Sequence, residues 1–311
     1  MKSVITGVAG FIGSSLAEQL LVRGHDVIGI DDLAGNYDAK IKEKNLETLS
    51  AKSRFVFVKE DVLNSDLEKH FQGADHVYHE AALTGVEASW NNVEEYTRNN
   101  IFSTAKLLGA AKKAKVRKIV FASSASVYGS LSLFPFKEAF PVRPLTPYAI
   151  TKMKSEELCL MYYREDRLPV VILRYFTVYG PRQRPDMAMQ NMILSALRGD
   201  EFVIRGDGKQ ERDLIYISDA VNTTIRAAEM GGVGEIYNVG SGTSTSLLGL
   251  IKMVEEISGK KIKTVNKPPI KGDMQKTTAD TGKLTGELMM AQGIDLKAGI
   301  QKQIDWIKKS I

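Results

Sequence analysis

Residues 6–13 read TGVAGFIG, directly after the apolar pair Val4-Ile5 and directly before a helix-like run from Ser14 to Val22. Glycine recurs at every third position: Gly7, Gly10 and Gly13. In a strand–loop–helix unit each has its own physical task. The first permits the tight turn, the second lets backbone approach a pyrophosphate, and the third lets the helix pack on the strand. The helix opening, which includes Phe11 and Ile12, then offers unpaired N–H groups and the positive end of a dipole to phosphate. Spacing alone is a weak signal. The strand before it and the helix after it turn it into a dinucleotide-binding reading.

Outward from that loop, short apolar runs alternate with helical patterns. Strands are expected at 3–6, 26–30, 54–58, 76–79, 118–122 and 169–174, and helices at 11–23, 67–71, 94–113 and from near Tyr148. The alternation predicts βαβ units: an α/β protein with a Rossmann, doubly wound parallel sheet. Beyond Tyr175 the character changes. Gly, Pro and Arg cluster in YGPRQRPD, followed by a helical run at 187–198, a short strand at 202–204 and the turn GDGK. This predicts a smaller mixed α/β substrate-binding domain. The expected division is 1–174 for the dinucleotide, with a return segment near 214–240, and 175–311 mainly for substrate. EIYNVG (235–240) is expected to rejoin or flank the sheet.

The 311 residues, 43% hydrophobic and 25% charged, suffice for a sizeable core without staples. One cysteine, Cys159, excludes an internal disulfide and predicts a reducing compartment. No apolar run approaches a membrane span and the chain opens on a strand, which predicts a soluble cytoplasmic protein without a membrane partner. The net charge of +5 lies partly in SGKKIKTVNK and WIKKS, without a basic-aromatic stripe or zinc spacing, so no nucleic-acid partner is expected. His25, His70, His76 and His79 show no ligand spacing, and no metal is expected.

The second strand ends in Asp31-Asp32. A carboxylate about 20 positions beyond such glycines bonds ribose hydroxyls and repels a 2′-phosphate, favouring NAD over NADP. Asp31 is the first candidate and Asp32 the second. Asp61-Val62 ends the third strand, where it can meet the adenine edge or cap a helix. A separate signal follows the fifth strand. SSASVYG occupies 123–129, and Tyr148 and Lys152 then stand four apart in YAITK. That spacing places both on one helical face. An ammonium near a phenol favours phenolate. A phenolate can take a hydroxyl proton while hydride leaves the carbon, with Ser124 bonded to the same oxygen.

TGVAGFIG, Asp31, Asp61-Val62, HEAAL, Asn100, SSASVYG, YAITK, RYFTVYGPRQRPD, GDGKQERD and KGDMQKTTAD together resemble, in order and over nearly the whole chain, the extended short-chain dehydrogenase/reductases of the nucleotide-sugar epimerase/dehydratase group. The resemblance implies an NAD-dependent enzyme that oxidises a sugar C4 hydroxyl to a 4-keto sugar. It implies Ala81 and Ala82 along the cofactor path, Asn100 ordering the fold nearby, Tyr148 and Lys152 beside the nicotinamide ribose, and Tyr175 approaching the nicotinamide. On the substrate side it implies Arg212 on the diphosphate, where a planar fork suits the anion. It also implies Gln190 and Asn191 near the nucleotide, Ser126 on the substrate side, and Thr177 where many 4-epimerases carry an Asn for the diphosphate.

Dehydratases of this group carry Asp-Glu after the catalytic Ser or Thr, and decarboxylases carry Glu. Here Ala125 and Ser126 stand there, which leaves epimerisation as the simplest chemistry. Thr177 replaces an Asn common in 4-epimerases, and RYFTVYGP with RPDMA is also similar to UDP-glucuronate 4-epimerases. Ile270 stands where many relatives have a phosphate-binding Arg, with Lys271 or Lys276 available to compensate. Hexose-restricted epimerases place a bulky residue just beyond the point where this sequence ends, at Ile311, soon after Trp306; its absence implies room for an N-acetyl group. The expectation is an isomerase: a UDP-sugar 4-epimerase acting on UDP-N-acetylglucosamine and UDP-glucose. UDP-glucuronate 4-epimerase and another nucleotide-sugar dehydratase or reductase are the alternatives, and a catalytically silent NAD-binding sensor is the reading from a different class. The resemblance also implies a homodimer paired through the helices at 94–113 and 149–164.

Overall fold

The computed structural model describes the chain except residues 36, 130, 291–292 and 310–311. Ile311, on which the N-acetyl expectation turned, lies outside the described residues. The chain first builds β1 (Lys2–Thr6), β2 (Asp26–Ile30), β3 (Phe55–Val58), β4 (His76–His79), β5 (Lys118–Ser124) and β6 (Val170–Tyr175). It then leaves that sheet through β7 (Thr177–Tyr179), β8 (Glu201–Arg205) and β9 (Glu211–Tyr216). It returns as β10 (Ile236–Val239) before β11 (Ser244–Ser246) and β12 (Lys263–Lys267).

The central sheet has seven strands in the order β10-β6-β5-β4-β1-β2-β3, all parallel. β6 is buried along its whole length, as both faces of a helix-covered parallel sheet require. Strand order reverses between β1 and β4, so a crevice opens at the carboxyl ends of those strands. The glycine loop, Glu80 to Ala82, Ser124 and Tyr175 all lie at that edge. The expected return of 235–240 is β10, which pairs parallel with β6 from Ile236 opposite Ile172 to Val239 opposite Tyr175. Outside this sheet, β7 runs parallel to β9 and β11 antiparallel to it, while β8 and β12 form a parallel pair.

The helix that carries Tyr148 spans Pro147–Asp166. Thr146 caps it by accepting from Ala149 N at 3.2 Å, and proline at the first position is pre-set for helix entry. The single helix expected over 94–113 is instead three pieces. Val93–Tyr96 and Ser103–Ala114 are α-helical, and Thr97–Phe102 between them is a wider π turn. A π turn takes in one extra residue, so the apolar pattern slips by one position between the flanking pieces, too small a shift to divide the helical run in sequence. Asn100 lies in that turn and is only 2% exposed. The helices Ala39–Ser50, Leu247–Ser258 and Leu296–Lys308, absent from the sequence reading, are capped by Asp38, Ser246 and Asp295. Among the described residues no helix is long and apolar enough to cross a membrane.

Candidate active site

Gly7 has φ +74°, and a Cβ there would lie 2.7 Å from the Ala81 nitrogen; one on Gly13 would lie 2.2 Å from the Gly7 carbonyl. Neither position admits a side chain. The following helix, Phe11–Val22, has no side-chain cap, so its opening N–H groups remain available to an anion. Asp31 at the end of β2 is buried. Its Oδ2 accepts from Ala9 N at 3.0 Å and its Oδ1 from Leu33 N at 2.8 Å, with Lys42 Nζ 3.2 Å away. The carboxylate therefore braces the glycine loop it was expected to accompany, and Lys42 tempers its charge. Lys42 had no motif to announce it. Asp32 is exposed and accepts from Ala34 N at 2.8 Å. Asp61 accepts from Leu63 N at 2.9 Å and lies 3.4 Å from Arg98 Nη2, while Val62 is buried in the core. These residues fit a dinucleotide: a side-chain-free phosphate cradle with an acid at the second strand end.

Asn100 grips the loop after β4. It accepts from Leu83 N at 2.8 Å and donates to Leu83 O at 3.0 Å and to Thr151 Oγ1 at 2.9 Å. That clamp ties the Ala81-Ala82 segment to the Tyr148 helix. Ser124 closes β5, and its hydroxyl hydrogen-bonds the Tyr148 phenol. Burial raises that phenol above its ordinary range, opposed by the Ser124 hydrogen bond and the positive charge of Arg184, with Tyr96 and Glu80 pushing it further up. Lys152 Nζ donates to the Ala122 carbonyl at 2.7 Å and sits 5.2 Å from the Phe121 ring centroid. Burial lowers its pKa to about 8, against the pull of Glu80. The expected ammonium beside the phenol is thus differently arranged. The lysine shares the helix face with Tyr148, but its long stem delivers the charge to the β5 carbonyl. The cation that lowers the phenol comes from Arg184.

Arg184 and Glu80 are the two groups the residue-level reading passed over, although both stood inside quoted motifs. Arg184 is chelated by Asp186 (Nε–Oδ1 2.9 Å, Nη2–Oδ2 2.8 Å) and bonds the Thr84 hydroxyl. Glu80 accepts from Tyr175 Oη at 3.1 Å.

The substrate-side candidates divide. Ser126 N donates to Ser124 Oγ at 3.2 Å, while the Ser126 hydroxyl is buried without a partner in a small cavity also lined by Gly129, Thr146, Gly272 and Asp273. Thr177 opens β7 and is half-buried. Arg212 Nη2 lies 2.6 Å from Asp273 Oδ1, so an acidic side chain holds the guanidinium expected to meet a diphosphate. Asp213 beside it is buried and accepts from the backbone of Ser241, Gly242 and Ala279, which orders the loop between β10 and β11. Gln190 differs from expectation: its amide oxygen accepts from Gln303 Nε2 at 3.0 Å, inside the core. Its position on the inner face of the helix Ala188–Arg198 explains this. Asn191, one residue on, is exposed. Lys271 stacks on Trp90, 4.2 Å from the ring centroid, and Lys276 pairs with Glu211 at 2.8 Å. Both ammoniums are thus engaged with neighbouring side chains. Among the described residues no group of three or more His, Cys, Asp or Glu side chains could hold a metal ion.

Known proteins with the same arrangement are numerous. The chain is 40% identical over 310 residues to an uncharacterized UDP-glucose epimerase, YtcB, of Bacillus subtilis, covering 99% of this chain and 98% of that one. It superposes on UDP-glucuronic acid 4-epimerase from Bacillus cereus, solved with UDP-glucuronic acid and NAD, with a TM-score of 0.97, 41% identity and full coverage of both chains. With UDP-N-acetylglucosamine 4-epimerase from Methanobrevibacter ruminantium the TM-score is 0.93 at 30% identity, covering 100% of this chain and 99% of that one. Residues 3–240 match the NAD dependent epimerase/dehydratase family. The chain belongs to that family, and NAD is its cofactor.

Proposed function

We propose that this chain is a UDP-sugar 4-epimerase that retains its NAD and takes UDP-glucuronate as its preferred substrate. One observation carries the choice of sugar: the Arg184 guanidinium lies within electrostatic reach of the Tyr148 phenol. A guanidinium fork matches a carboxylate, and a low-dielectric cleft strengthens that pairing, but Asp186 occupies the fork here and the sugar carboxylate would have to displace it. The sugar carboxyl, on the carbon next to C4, then falls beside the reacting hydroxyl. The likeness to the Bacillus cereus UDP-glucuronic acid 4-epimerase supports the same sugar.

The cofactor, when bound, supplies the acceptor and donor of hydride. This chain's own groups do the rest. The Tyr148 phenolate takes the C4 hydroxyl proton and later returns it, while Ser124 bonds the same oxygen and fixes its position. Lys152, anchored on Ala122 O, would contribute positive charge beside the cofactor. Arg212 takes the diphosphate, which must displace Asp273. Ser126 and Thr177 border the sugar. The cofactor would be held by Gly7, Gly10, Phe11, Ile12 and Gly13 at the phosphates and by Asp31 and Asp32 at the adenosine ribose. Asp61 and Val62 would meet the adenine, and Ala81, Ala82 and Tyr175 the nicotinamide end. In this reading 1–174 with the β9–β10 return serves the cofactor, and 175–311 mainly the nucleotide sugar. The exposed Phe102 and Met161 suit a homodimer face.

A second reading keeps the neutral sugars, UDP-N-acetylglucosamine and UDP-glucose. The likeness to the Methanobrevibacter ruminantium enzyme favours it. The test is a panel of UDP-sugars incubated without added cofactor, with products resolved by NMR. Conversion of UDP-glucuronate to the galacto epimer is expected. Turnover of neutral sugars alone would overturn the uronate assignment, and turnover of none would overturn the epimerase reading.

A further inference from the structure

Glu80 stands at the carboxyl edge of the sheet, immediately after β4. Its nitrogen donates to Thr6 O at 3.1 Å, which pins it to β1. Its Oε1 accepts from Tyr175 Oη at 3.1 Å, and that hydroxyl lies 2.6 Å from Thr224 Oγ1 on the helix Ile217–Met230. Tyr175 and Thr224 are both buried. The Tyr175 hydroxyl, braced in turn by Thr224, thus holds the carboxylate, while β1 fixes its backbone. The groups facing it are Tyr175 from β6, and Lys152 and Tyr148 from the helix Pro147–Asp166. His79, its chain neighbour, points elsewhere, between the Thr6 and Thr104 hydroxyls, and burial keeps it neutral. Burial also lifts the Glu80 acid to about 7, with the Tyr175 hydrogen bond and the Lys152 charge opposing.

Resting on the epimerase reading, we infer that Glu80 is an electrostatic positioning residue whose carboxylate biases the bound cofactor toward its oxidised form. In the first half-reaction the sugar C4–H bond breaks and hydride passes to the nicotinamide, while the O–H proton passes to the Tyr148 phenolate. The second half returns both, to the opposite face of C4. The nicotinamide ring is cationic when oxidised and neutral when reduced. A fixed carboxylate in the same poorly solvated site stabilises the cationic ring. The state holding 4-keto sugar and reduced cofactor is then sparsely populated, and escape of the keto sugar, which would strand reduced cofactor, is suppressed. Protonation of Glu80 removes the bias.

The test uses holoenzyme in wild-type, Glu80→Gln and Glu80→Asp forms. Each is equilibrated, without sugar, against a redox dye of known potential, and the bound reduced fraction is read from its near-ultraviolet absorbance. At a pH above the Glu80 transition, Glu80→Gln is expected to raise the reduced-to-oxidised ratio roughly fivefold or more, with Glu80→Asp falling back toward wild type. In wild type the ratio, relative to free NAD equilibrated with the same dye at each pH, should climb as pH falls through about 7, because the carboxylate is lost there. This pH profile tests the inference even if a variant fails to retain NAD. A wild-type profile with no break in that region, or a Glu80→Gln enzyme with the wild-type ratio and wild-type thermal stability, overturns it. The dye readout needs no substrate. An enzyme inert toward every UDP-sugar therefore sinks the epimerase reading separately.

Discussion

Arg174 and Glu156 form a buried ion pair beneath the strand end that carries Ser124. Arg174 Nη2 lies 2.7 Å from Glu156 Oε2, both side chains are at most 5% exposed, and Ser123 donates its hydroxyl to the same carboxylate. Removing one partner leaves a desolvated charge and shifts the β5–β6 edge that aims Ser124. Glu156→Ala is expected to cost about 3–5 kcal/mol, measured by urea denaturation. A loss below about 1 kcal/mol, the range of exposed pairs, would show the pair to be solvated in solution.

Tyr148→Phe keeps the ring and its edge-on contact with Tyr96, 6.3 Å between centroids, but removes the hydroxyl bonded by Ser124. Turnover should fall by about 10²–10⁴-fold while NAD stays bound. Cofactor released by heat denaturation and quantified by absorbance checks the second half. Unimpaired turnover would remove Tyr148 from the proton transfer.

Arg184→Met should separate the sugars. Loss of a charged hydrogen-bonded pair predicts a drop of about tenfold to a hundredfold in kcat/KM for UDP-glucuronate. UDP-glucose should suffer less, since it presents no carboxylate. Equal losses on both sugars would assign Arg184 to the phenol alone.

Gln303 is fully buried in the helix Leu296–Lys308, and its amide donates to Gln183 at 2.9 Å and to Gln190 at 3.0 Å. Gln183, one residue before Arg184, in turn donates to the carbonyl of Val178, one residue beyond Thr177, at 2.9 Å. Gln303→Leu would orphan two acceptors and is expected to destabilise by about 1–3 kcal/mol. Differential scanning fluorimetry should show a lowered midpoint, and a raised KM for the nucleotide sugar should accompany it.

His79 is held neutral by burial, with a pKa of about 3 against an ordinary 6.5. Above pH 6.5 neither state binds its proton, and its contribution to stability is constant. Between 6.5 and about 3 only the unfolded chain takes the proton, so stability falls with decreasing pH at up to about 1.4 kcal/mol per unit. His79→Asn should flatten the acid limb of a stability–pH curve by about one proton. An unchanged limb would mean that His79 titrates normally in the fold.

The parallel sheet, the glycine loop between its first strand and helix, and the placing of Tyr148 and Lys152 on one helix were legible from the amino-acid sequence alone. Each depends on local chemistry: glycine spacing between a strand and a helix, alternation of apolar runs, and a four-residue step along one helical face. These leave their mark at short range. The family and NAD followed from the same motifs. Tertiary structure alone decided what those side chains meet across 30 to 120 positions of chain: Lys152 on Ala122 O, Arg184 at the Tyr148 phenol, Glu80 on Tyr175, and Gln190 on Gln303. The π turn around Asn100 was likewise missed, because a one-position slip in the apolar pattern is too small to divide one helical run. Contact partners, burial and charge balance are set by packing between distant segments, and the local spacing of a sequence does not encode them.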